Sequence, residues 1–443
     1  MIGLIGLIVG LGLLIYLAVR GWHLLLAAPL AALIVAITNG LPIFNTSSTV
    51  DHVAFISAYM EGFVRFFKDW FFIFLCGAIF GKAMEYSRSA DSIAHWAIAK
   101  IGINHASLAV VGACAILTYG GVSVFTVAFC VYSMALSIFK DANLPRRFLP
   151  AVIAFGSVTF TMTSAGSPEI QNWIPVKYLG TTPYAGWQVS LVVALCMACA
   201  GYAWLHYMLK KAITAGECFE ERGGDTFTLS KVGLPHPIKS LLAIVTVILL
   251  SFILHKPFGT SALIIALSGG ILVIYILNAR HFTNKGKPFN EGATGALIAI
   301  ANTCAVVGFG TVAKETLAFV EVVNFITTSS GGGLLGAAIA VSLICGLTGS
   351  SSGGQAIALP LLAPIYIGAE VPETQQVEPD QLHRVVSIAS GALDSLPHNG
   401  YVVTLIRSIC QETHNGAYMP LAALTVIIPL LGTGPVPYTH LTM

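Results

Sequence analysis

Residues Ser390-Gly391-Ala392-Leu393-Asp394-Ser395-Leu396-Pro397-His398-Asn399-Gly400-Tyr401 interrupt an otherwise apolar segment with a carboxylate, an imidazole, an amide, a proline and two glycines. A similar interruption, Thr163-Ser164-Ala165-Gly166-Ser167-Pro168-Glu169-Ile170-Gln171-Asn172, precedes it by 229 residues when Pro168 is aligned with Pro397. Irregular backbone at membrane depth is tolerated only against protein or a water-filled cavity. The two stretches therefore predict broken membrane helices that face each other across a binding site.

Composition indicates an all-α polytopic membrane protein. Of 443 residues, 56% are hydrophobic and only 9% are charged, and the mean hydropathy is +0.82. Soluble proteins carry about 25% charged residues, so a soluble domain of this size could not bury so much apolar surface. The net charge of +2, without a basic cluster, argues against a nucleic-acid partner. The uncharged N-terminal apolar run predicts a retained span rather than a signal peptide.

Two short apolar arms predict re-entrant hairpins. Residues 106–118 would reach about 20 Å as a helix, less than the ~30 Å hydrocarbon core. Tyr119-Gly120-Gly121 then separates them from a second apolar arm. Residues 334–347, a Ser/Gly-rich tip at 348–354 and a return arm repeat the pattern. Ordinary spans joined by a tight turn are the alternative interpretation.

An internal repeat predicts that the chain is divided into two similar halves. Three residue pairs keep the offset of 229 positions at a span end, a hairpin tip and a helix break, namely Gly81 and Gly310, Gly120 and Gly349, and Pro168 and Pro397. Each half is expected to hold five full spans and one hairpin, and an odd number of spans inverts the second half. The predicted division is a first inverted repeat at 1–209 (hairpin about 106–139, broken helix about 148–177), a cytoplasmic linker at 210–237 and a second inverted repeat at 238–443 (hairpin about 334–367, broken helix about 382–409).

The distribution of basic residues predicts the orientation. With the N-terminus outside, only Arg65, Lys68, Lys177, Lys256, Lys314 and Arg384 fall outside, and every other Lys and Arg falls inside. Because cytoplasmic loops carry the excess of Lys and Arg, both termini are expected to be periplasmic.

The breaks and hairpin tips predict a site for an anion. Helix starts expose unpaired N–H groups with roughly half a positive charge, and Ser167 followed by Pro168 looks like an N-cap and a first helical position. Such a cradle would need no cationic side chain. Individual serines could instead bond back to their own helix. The candidate substrate-binding residues are Gly120, Gly121, Ser123, Ser164, Ser167, Gln171, Asn172, Ser350, Ser351, Ser352, Gly353 and Asn399.

Three ionisable residues are candidates for carrying a coupling proton. Asp394 and His398 lie four residues apart, one turn if the helix continues, and could share a proton. An ionisable group in the membrane core costs at least about 2.5 kcal/mol on insertion scales, so it is a functional candidate by default. Glu169 is the third candidate. The alternative is that Asp394 only caps the broken helix.

Three sequence patterns bear on other functional classes or on the assembly. Residues 349–353 match the pattern G-x-S-x-G, and with Asp394 and His398 they suggest a hydrolase, but that motif needs a preceding strand. A passive channel would show no uphill accumulation. Cys196 and Cys199 lie in an apolar helix without partners, so no metal or cofactor is expected. Gly6 and Gly10 form a G-x-x-x-G pattern, a weak indication of a dimer.

Four motifs resemble the gluconate:proton symporter family of bacterial permeases, within the larger ion transporter superfamily. They are residues 119–125, 160–172, 348–355 and 390–401. The resemblance implies an inner-membrane proton symporter for small organic acids, built as a homodimer with a scaffold and a mobile, elevator-type transport domain. Gluconate permeases carry a Pro-Pro-His-Pro type sequence at the first break, where this chain has Ser164-Ala165-Gly166-Ser167-Pro168-Glu169. The resemblance therefore favours 3-hydroxybutyrate or a related short hydroxy or keto acid, with gluconate, another sugar acid or sodium coupling as alternatives.

Overall fold

The computed structural model describes residues 2–44, 53–101, 105–222, 233–329, 333–368 and 377–439, and the regular elements in these ranges are all helical. The acidic loop around Glu373 and the middle of the linker lie outside the described residues. The helices of the first half are α1 Ile2–Val19, α2 Leu24–Thr38, α3 Phe55–Tyr86, α4 Ser89–Ile101, α5 Ala106–Tyr119, α6 Val124–Asp141, α7 Leu149–Ala154, α8 Ile174–Leu179 and α9 Trp187–Thr214. Those of the second half are α10 Pro237–Phe258, α11 Ser261–Leu277, α12 Lys287–Lys314, α13 Leu317–Ser329, α14 Leu334–Thr348, α15 Ser351–Ile367, α16 Pro379–Ser390, α17 Gly400–Val403, α18 His414–Ala422, α19 Ile428–Thr433 and α20 Val436–Thr439.

Shorter elements complete the two halves. Three π-helical turns follow α7, α17 and α18 without a gap, at Phe155–Thr159, Thr404–Ile409 and Ala423–Ile427. The apolar runs of the sequence predict spans at about 2–19, 24–38 and 261–277, and these are the bounds of α1, α2 and α11. They also predict a span at about 70–85 after an amphipathic stretch, and the structure joins the two in the 32-residue helix α3.

The long helices α3 and α12 show that the second half is inverted. They hold the same place in the repeat, since each precedes a shorter helix and a hairpin. Tyr59, near the start of α3, donates to the Ala305 carbonyl near the end of α12, at 3.1 Å. Tyr86, at the end of α3, donates to Glu291, near the start of α12, at 2.7 Å. The equivalent helices are therefore antiparallel, which confirms the inverted repeat.

Two repeat-related glycines let each hairpin pack on its long helix. A Cβ atom at Gly81 of α3 would lie 2.6 Å from Thr126 of α6. A Cβ atom at Gly310 of α12 would overlap Ile357 of α15. In both halves the missing side chain lets the return arm of the hairpin approach closely. The predicted glycine pair therefore has a packing role.

The surface and the long apolar helices define a multi-pass membrane protein. Among the described residues, Trp187–Thr214, Pro237–Phe258, Lys287–Lys314 and His414–Tyr438 are long and apolar enough to cross a bilayer. Large apolar side chains are exposed on these helices, including Leu195 and Ile253 at 63% each. Because such surface is stable against lipid and not against water, these faces are the lipid-facing ones.

The described ion pairs join residues that the predicted topology places on the same side. Arg147 donates two hydrogen bonds to Glu217, at 2.6 and 2.8 Å, and holds the pKa of that carboxyl below its usual range. On the opposite, predicted outer side, Lys177 pairs with Asp69. Arg384, which the distribution of basic residues places on the outer side, is fully buried within the protein.

The G-x-x-x-G pattern is used within the chain. A Cβ atom at Gly6 would overlap Thr38, and one at Gly10 would lie 2.6 Å from Val35. Both contacts are with α2, so the motif packs α1 against α2. It therefore gives no support to a dimer.

We expect Gly354→Ala to destabilise the second hairpin by about 1–3 kcal/mol. A Cβ atom there would lie 2.6 Å from the Cα atom of Cys345, so the arms α14 and α15 would have to separate. Gly295→Ala is the matched control, because no atom lies within 4 Å of its added Cβ. Thermal unfolding of the purified variants measures the difference. Equal midpoints for the two variants would contradict the tight packing of the arms.

Candidate functional site

The first interruption is a stretch of turns. After the π-helical turn that follows α7, residues 160–169 lie outside helices, and a 3₁₀ turn at Ile170–Asn172 leads to α8. Glu169 occupies the N-cap position of that turn, and the Ser167 hydroxyl accepts a hydrogen bond from the Glu169 N–H at 3.4 Å. Pro168 lies in the irregular stretch. The expected cap by Ser167, with Pro168 as first helical residue, is therefore wrong.

Amide and hydroxyl groups hold the first break together internally. Asn172 is fully buried and donates to the carbonyls of Ser164 at 2.6 Å and Met162 at 3.3 Å. The Ser164 hydroxyl donates to the Phe160 carbonyl at 2.5 Å. The Ser164 hydroxyl thus bonds to the backbone of its own segment, which was the alternative to substrate binding. The Asn172 amide links the two ends of the irregular stretch.

The second interruption occupies residues 391–399, between α16 and α17. Asn399 is the N-cap of α17, and its side-chain oxygen accepts from the Val402 N–H at 2.9 Å. Its Nδ2 donates to the carbonyls of Gly349 and Asp394, each at 2.9 Å. The cap is therefore Asn399 rather than Asp394. The same amide ties the second break to the tip of the second hairpin.

Each hairpin tip turns on a glycine that abuts the break of its own half. Gly121 has φ +85° and Gly349 has φ +59°, which are backbone conformations that residues with a Cβ atom rarely adopt. A Cβ atom at Gly121 would lie 3.2 Å from Pro168, and one at Gly349 would lie 2.6 Å from His398. The repeat thus brings each tip against its break, although the neighbouring groups differ.

The serines at the two tips differ in their contacts. Ser350 caps α15, because its hydroxyl accepts from the Gly353 N–H at 3.1 Å, and it lies 3.4 Å from the Ser352 hydroxyl. Ser123 is the N-cap of α6 but makes no side-chain cap bond. Gly120 packs against Ile244 of α10, where a Cβ atom would overlap that side chain. The hydroxyl groups of the second tip therefore make more local hydrogen bonds than the Ser123 hydroxyl of the first tip.

A buried hydrogen bond joins the first break to the second hairpin. Gln171 donates from Nε2 to the Ser351 hydroxyl at 3.0 Å, and both side chains are at most 7% exposed. The Ser387 hydroxyl of α16 donates to the Gln171 carbonyl at 3.4 Å. Gln171 Oε1 has no hydrogen-bond partner within the described chain. A buried acceptor with no partner is costly, so this position suits a bound donor group.

The two ionisable residues of the second break are buried but separate. Asp394 is 5% exposed and accepts from the Ser395 hydroxyl at 2.9 Å, and Ser351 lies beside its carboxyl group. His398 is 3% exposed and packs on Gly349. Neither of its ring nitrogens completes a hydrogen bond of normal geometry within the described chain. Because the helix is interrupted between them, Asp394 and His398 do not sit one helical turn apart as expected.

Sequence reasoning missed a buried basic pair on α16. Arg384 and His383 are both 0% exposed. Arg384 donates to the Asn172 side-chain oxygen at 2.9 Å, and His383 bonds to the Thr181 hydroxyl at 2.6 Å. The distribution of basic residues predicts Arg384 on the outer side, and the sequence analysis gives His383 no role. The signal that could have found them is the amphipathic pattern of α16, which continues beyond them into the core.

An open cavity of about 740 Å³ lies beside the first break. Its walls are mostly apolar and come from α5, α9 and α10. Thr161, Ser164 and Ser190 contribute polar groups to its lining. The first break is thus accessible from a wide groove, whereas the Gln171–Ser351 contact is enclosed.

We expect Asn399→Ala to lower the stability of the protein by about 1–2 kcal/mol, because it removes a helix cap and two partly buried hydrogen bonds. It should also impair transport, since the second break would lose its tie to Gly349. Thr413→Ala removes only a cap bond, to the Gly416 N–H at 3.2 Å, and serves as the control. Thermal unfolding and uptake of both variants test this. Uptake that falls equally in the two would contradict a specific role for Asn399.

Comparisons with known proteins identify the class of protein. The fold resembles MtrF of Neisseria gonorrhoeae, described as illuminating a class of antimetabolite efflux pumps (TM-score 0.53, 12% identity, 94% of this chain and 95% of that chain). It also resembles the YdaH transporter of Alcanivorax borkumensis (TM-score 0.55, 12% identity, 99% and 98%). At this identity the likeness concerns the fold alone. The chain therefore shares the fold of these two transport proteins.

A sequence relative establishes the family. The chain is 34% identical to the uncharacterized transporter YxjC of Bacillus subtilis (strain 168), over 96% of each protein. The chain belongs to the family of that transporter. No family model matches it. The comparisons thus support a transporter but not the gluconate:proton symporter family in particular.

The hydrolase interpretation lacks the structure that it needs. The G-x-S-x-G pattern follows α14, a helix, and within the described residues no strand precedes it. Ser351 contacts Gln171 and Asp394, while His398 packs on Gly349. The relatives are transporters, which agrees with a function in transport.

Proposed function

We propose that the protein is a proton-coupled symporter that takes up a small organic monocarboxylate, such as 3-hydroxybutyrate or a related short hydroxy or keto acid. The observation that carries the proposal is the buried junction of the first break with the second hairpin tip, where Gln171 meets Ser351 and Asp394 lies beside them. A transporter needs a polar site enclosed near the middle of the bilayer. This junction is the best candidate for it.

Peptide N–H groups would hold the substrate carboxylate. Helix α15 has 17 residues and begins at Ser351, so its first turn, capped by Ser350, presents donors at the junction. Helix α6 begins after Ser123 at the other tip. Hydroxyls and amides of the tip and break residues would hold the substrate hydroxyl or keto group. Gln171 Oε1, which has no partner within the described chain, suits a substrate hydroxyl.

Asp394 and His398 would carry the proton. Both are buried in the second break, close to the hairpin tip that would hold the anion. Protonation would remove the negative charge of Asp394 or make the His398 imidazole cationic, so the proton would offset the charge of the incoming substrate and favour joint movement of both. Glu169, half-buried in the first break, is a second proton-carrying candidate. The proton gradient would drive uptake if the transport domain moved only when the proton and the substrate are both bound.

Movement is proposed to follow an elevator mechanism. The antiparallel pair α3 and α12, with α1, α2, α10 and α11, forms one set of neighbouring helices. The hairpins and the broken segments form another set, with α14, α15 and α16 packed together. We assign the first set to a scaffold and the second to the mobile transport domain. The proposed setting is a homodimer in a bacterial inner membrane, with periplasmic termini and the division at 1–209, 210–237 and 238–443.

Uptake into proteoliposomes tests the proposal. Purified protein is reconstituted, and radiolabelled 3-hydroxybutyrate, pyruvate and gluconate are supplied with a proton gradient or a sodium gradient imposed separately. The expected result is accumulation of a short acid above its external concentration with the proton gradient alone. Accumulation of gluconate would favour the sugar-acid alternative. Accumulation only with the sodium gradient would identify sodium as the coupling ion. Equilibration without accumulation under either gradient would contradict symport.

A further inference from the structure

Arg384 is a buried guanidinium whose hydrogen bonds to the described residues all go to neutral groups. Its Nε donates to the Ala185 carbonyl at 2.8 Å, and Nη1 donates to the Thr163 carbonyl and to Asn172 Oδ1, both at 2.9 Å. Its Nη2 donates to the Pro183 carbonyl at 3.3 Å. Carbonyl and amide oxygens orient the guanidinium, but they do not neutralise its charge.

The described part of the chain supplies no carboxylate within ion-pair distance of Arg384. The Tyr119 phenol lies near enough to interact with it, and the carboxylate whose charge reaches it is Asp380, one turn earlier on α16 and exposed. Arg146 provides a contrast, since it is also buried, at 3%, but pairs with the Glu412 carboxylate at 3.4 Å. Among the described residues, the buried Arg146 therefore has a carboxylate partner, whereas Arg384 has none.

A buried charge without a counter-ion is costly, and burial of two opposite charges together is much less so. The contact of Arg384 with Asn172 places the guanidinium next to Gln171, the residue that reaches Ser351 at the candidate site. An anion bound at this junction would lie within the field of Arg384, which the interior screens weakly. The sequence-based expectation was an anion cradle without a cationic side chain, and this position of Arg384 adds one beside it.

We infer that Arg384 is the fixed positive charge that selects an anionic substrate at the junction of the first break and the second hairpin. It acts through its position behind Asn172 and Gln171, and we assign it as a positioning and charge-supplying residue. The inference rests on the proposed function, because it requires a carboxylate at this junction. It adds the group that would make the protein prefer the carboxylate over a neutral compound of the same shape.

The test compares two variants of Arg384 that both lose the guanidinium and its set of four hydrogen bonds. Arg384→Lys keeps the charge and Arg384→Met removes it. Arg146→Met is the matched control, since the charge of that buried arginine is already paired. The readout is the ligand-dependent shift in thermal unfolding of the full-length protein, measured with 3-hydroxybutyrate and with its neutral amide. The ratio of the two apparent Kd values reports charge selection, which a merely structural role would leave unchanged.

We expect Arg384→Met to weaken binding of the anion by about tenfold or more while binding of the amide changes little. Arg384→Lys should stay within about threefold of wild type, and Arg146→Met should keep the wild-type ratio. A folded Arg384→Met variant with the wild-type ratio would overturn the inference and leave the proposed function standing. A wild-type protein that binds none of 3-hydroxybutyrate, pyruvate and gluconate would overturn both.

A second pair of variants keeps the test decisive if Arg384→Met does not fold. Asn172→Asp and Asn172→Ala both remove the amide, but only Asn172→Asp places a carboxylate against the guanidinium, where Asn172 Oδ1 now lies at 2.9 Å. We expect Asn172→Asp to bind the anion about tenfold more weakly than Asn172→Ala. Equal anion affinity in the two variants would overturn the inference.

Discussion

Asp394→Asn is expected to abolish uphill accumulation of the substrate while exchange of internal for external substrate continues. The carboxyl group is 5% exposed and lies beside the second hairpin tip, where Ser351 and Ser395 contact it. Asparagine keeps the size and the hydrogen-bonding oxygen but cannot take up or release a proton. The loaded site could then still cross the membrane, but the proton gradient would no longer drive it.

The measurement is the ratio of internal to external labelled substrate in proteoliposomes with an imposed proton gradient. For Asp394→Asn this ratio should fall to about 1, whereas counterflow exchange should stay within a few-fold of wild type. Asp380→Asn is the matched control, because Asp380 lies exposed in the first turn of α16. Unimpaired uphill transport by Asp394→Asn would refute the assignment of the proton to this residue.

Gly349→Ala is expected to reduce transport by about tenfold or more. The residue has φ +59°, which costs an L side chain roughly 1–2 kcal/mol. The added Cβ would also lie 2.6–2.7 Å from the His398 ring, so the imidazole would have to move. The hairpin tip and the second break would then no longer fit together at the site.

Gly180→Ala separates these two effects. Gly180 has a similar φ of +66°, but no atom lies within 4 Å of its added Cβ. Its variant should carry the backbone strain and retain transport near the wild-type rate. The initial rate of uptake, normalised to the amount of folded protein, gives the comparison. If both variants lose transport equally, strain alone explains the loss and the contact between Gly349 and His398 has no special role.

The architecture could be predicted from the sequence because its causes are local or periodic. Continuous apolar runs set the limits of α1, α2 and α11, and lipid leaves helices as the stable state for such runs. The offset of 229 residues marked the repeat, and the antiparallel contact of α3 with α12 confirms its inversion. Short arms around glycine predicted both hairpins, since an arm of that length cannot span the bilayer.

The finer chemistry of the site depends on contacts between distant parts of the chain. Capping by Asn399 rather than Asp394 follows from how the second break turns, which no spacing rule specifies. The contact of Gln171 with Ser351 joins residues that are 180 positions apart. The charge distribution places Arg384 on the outer side, yet the amphipathic helix α16 carries it into the core. The cap at Asn399 and the contact of Gln171 with Ser351 come from tertiary packing, which no local sequence pattern specifies.

An experimental structure in a lipid bilayer with a bound short hydroxy acid tests the central claim most directly. The account predicts density for the acid at the junction of Gln171 with Ser351, with its carboxylate toward the first turn of α15 and residues 160–169 and 391–399 still outside helices. Continuous helices through Pro168 and Pro397, or an acid bound away from both interruptions, would contradict it.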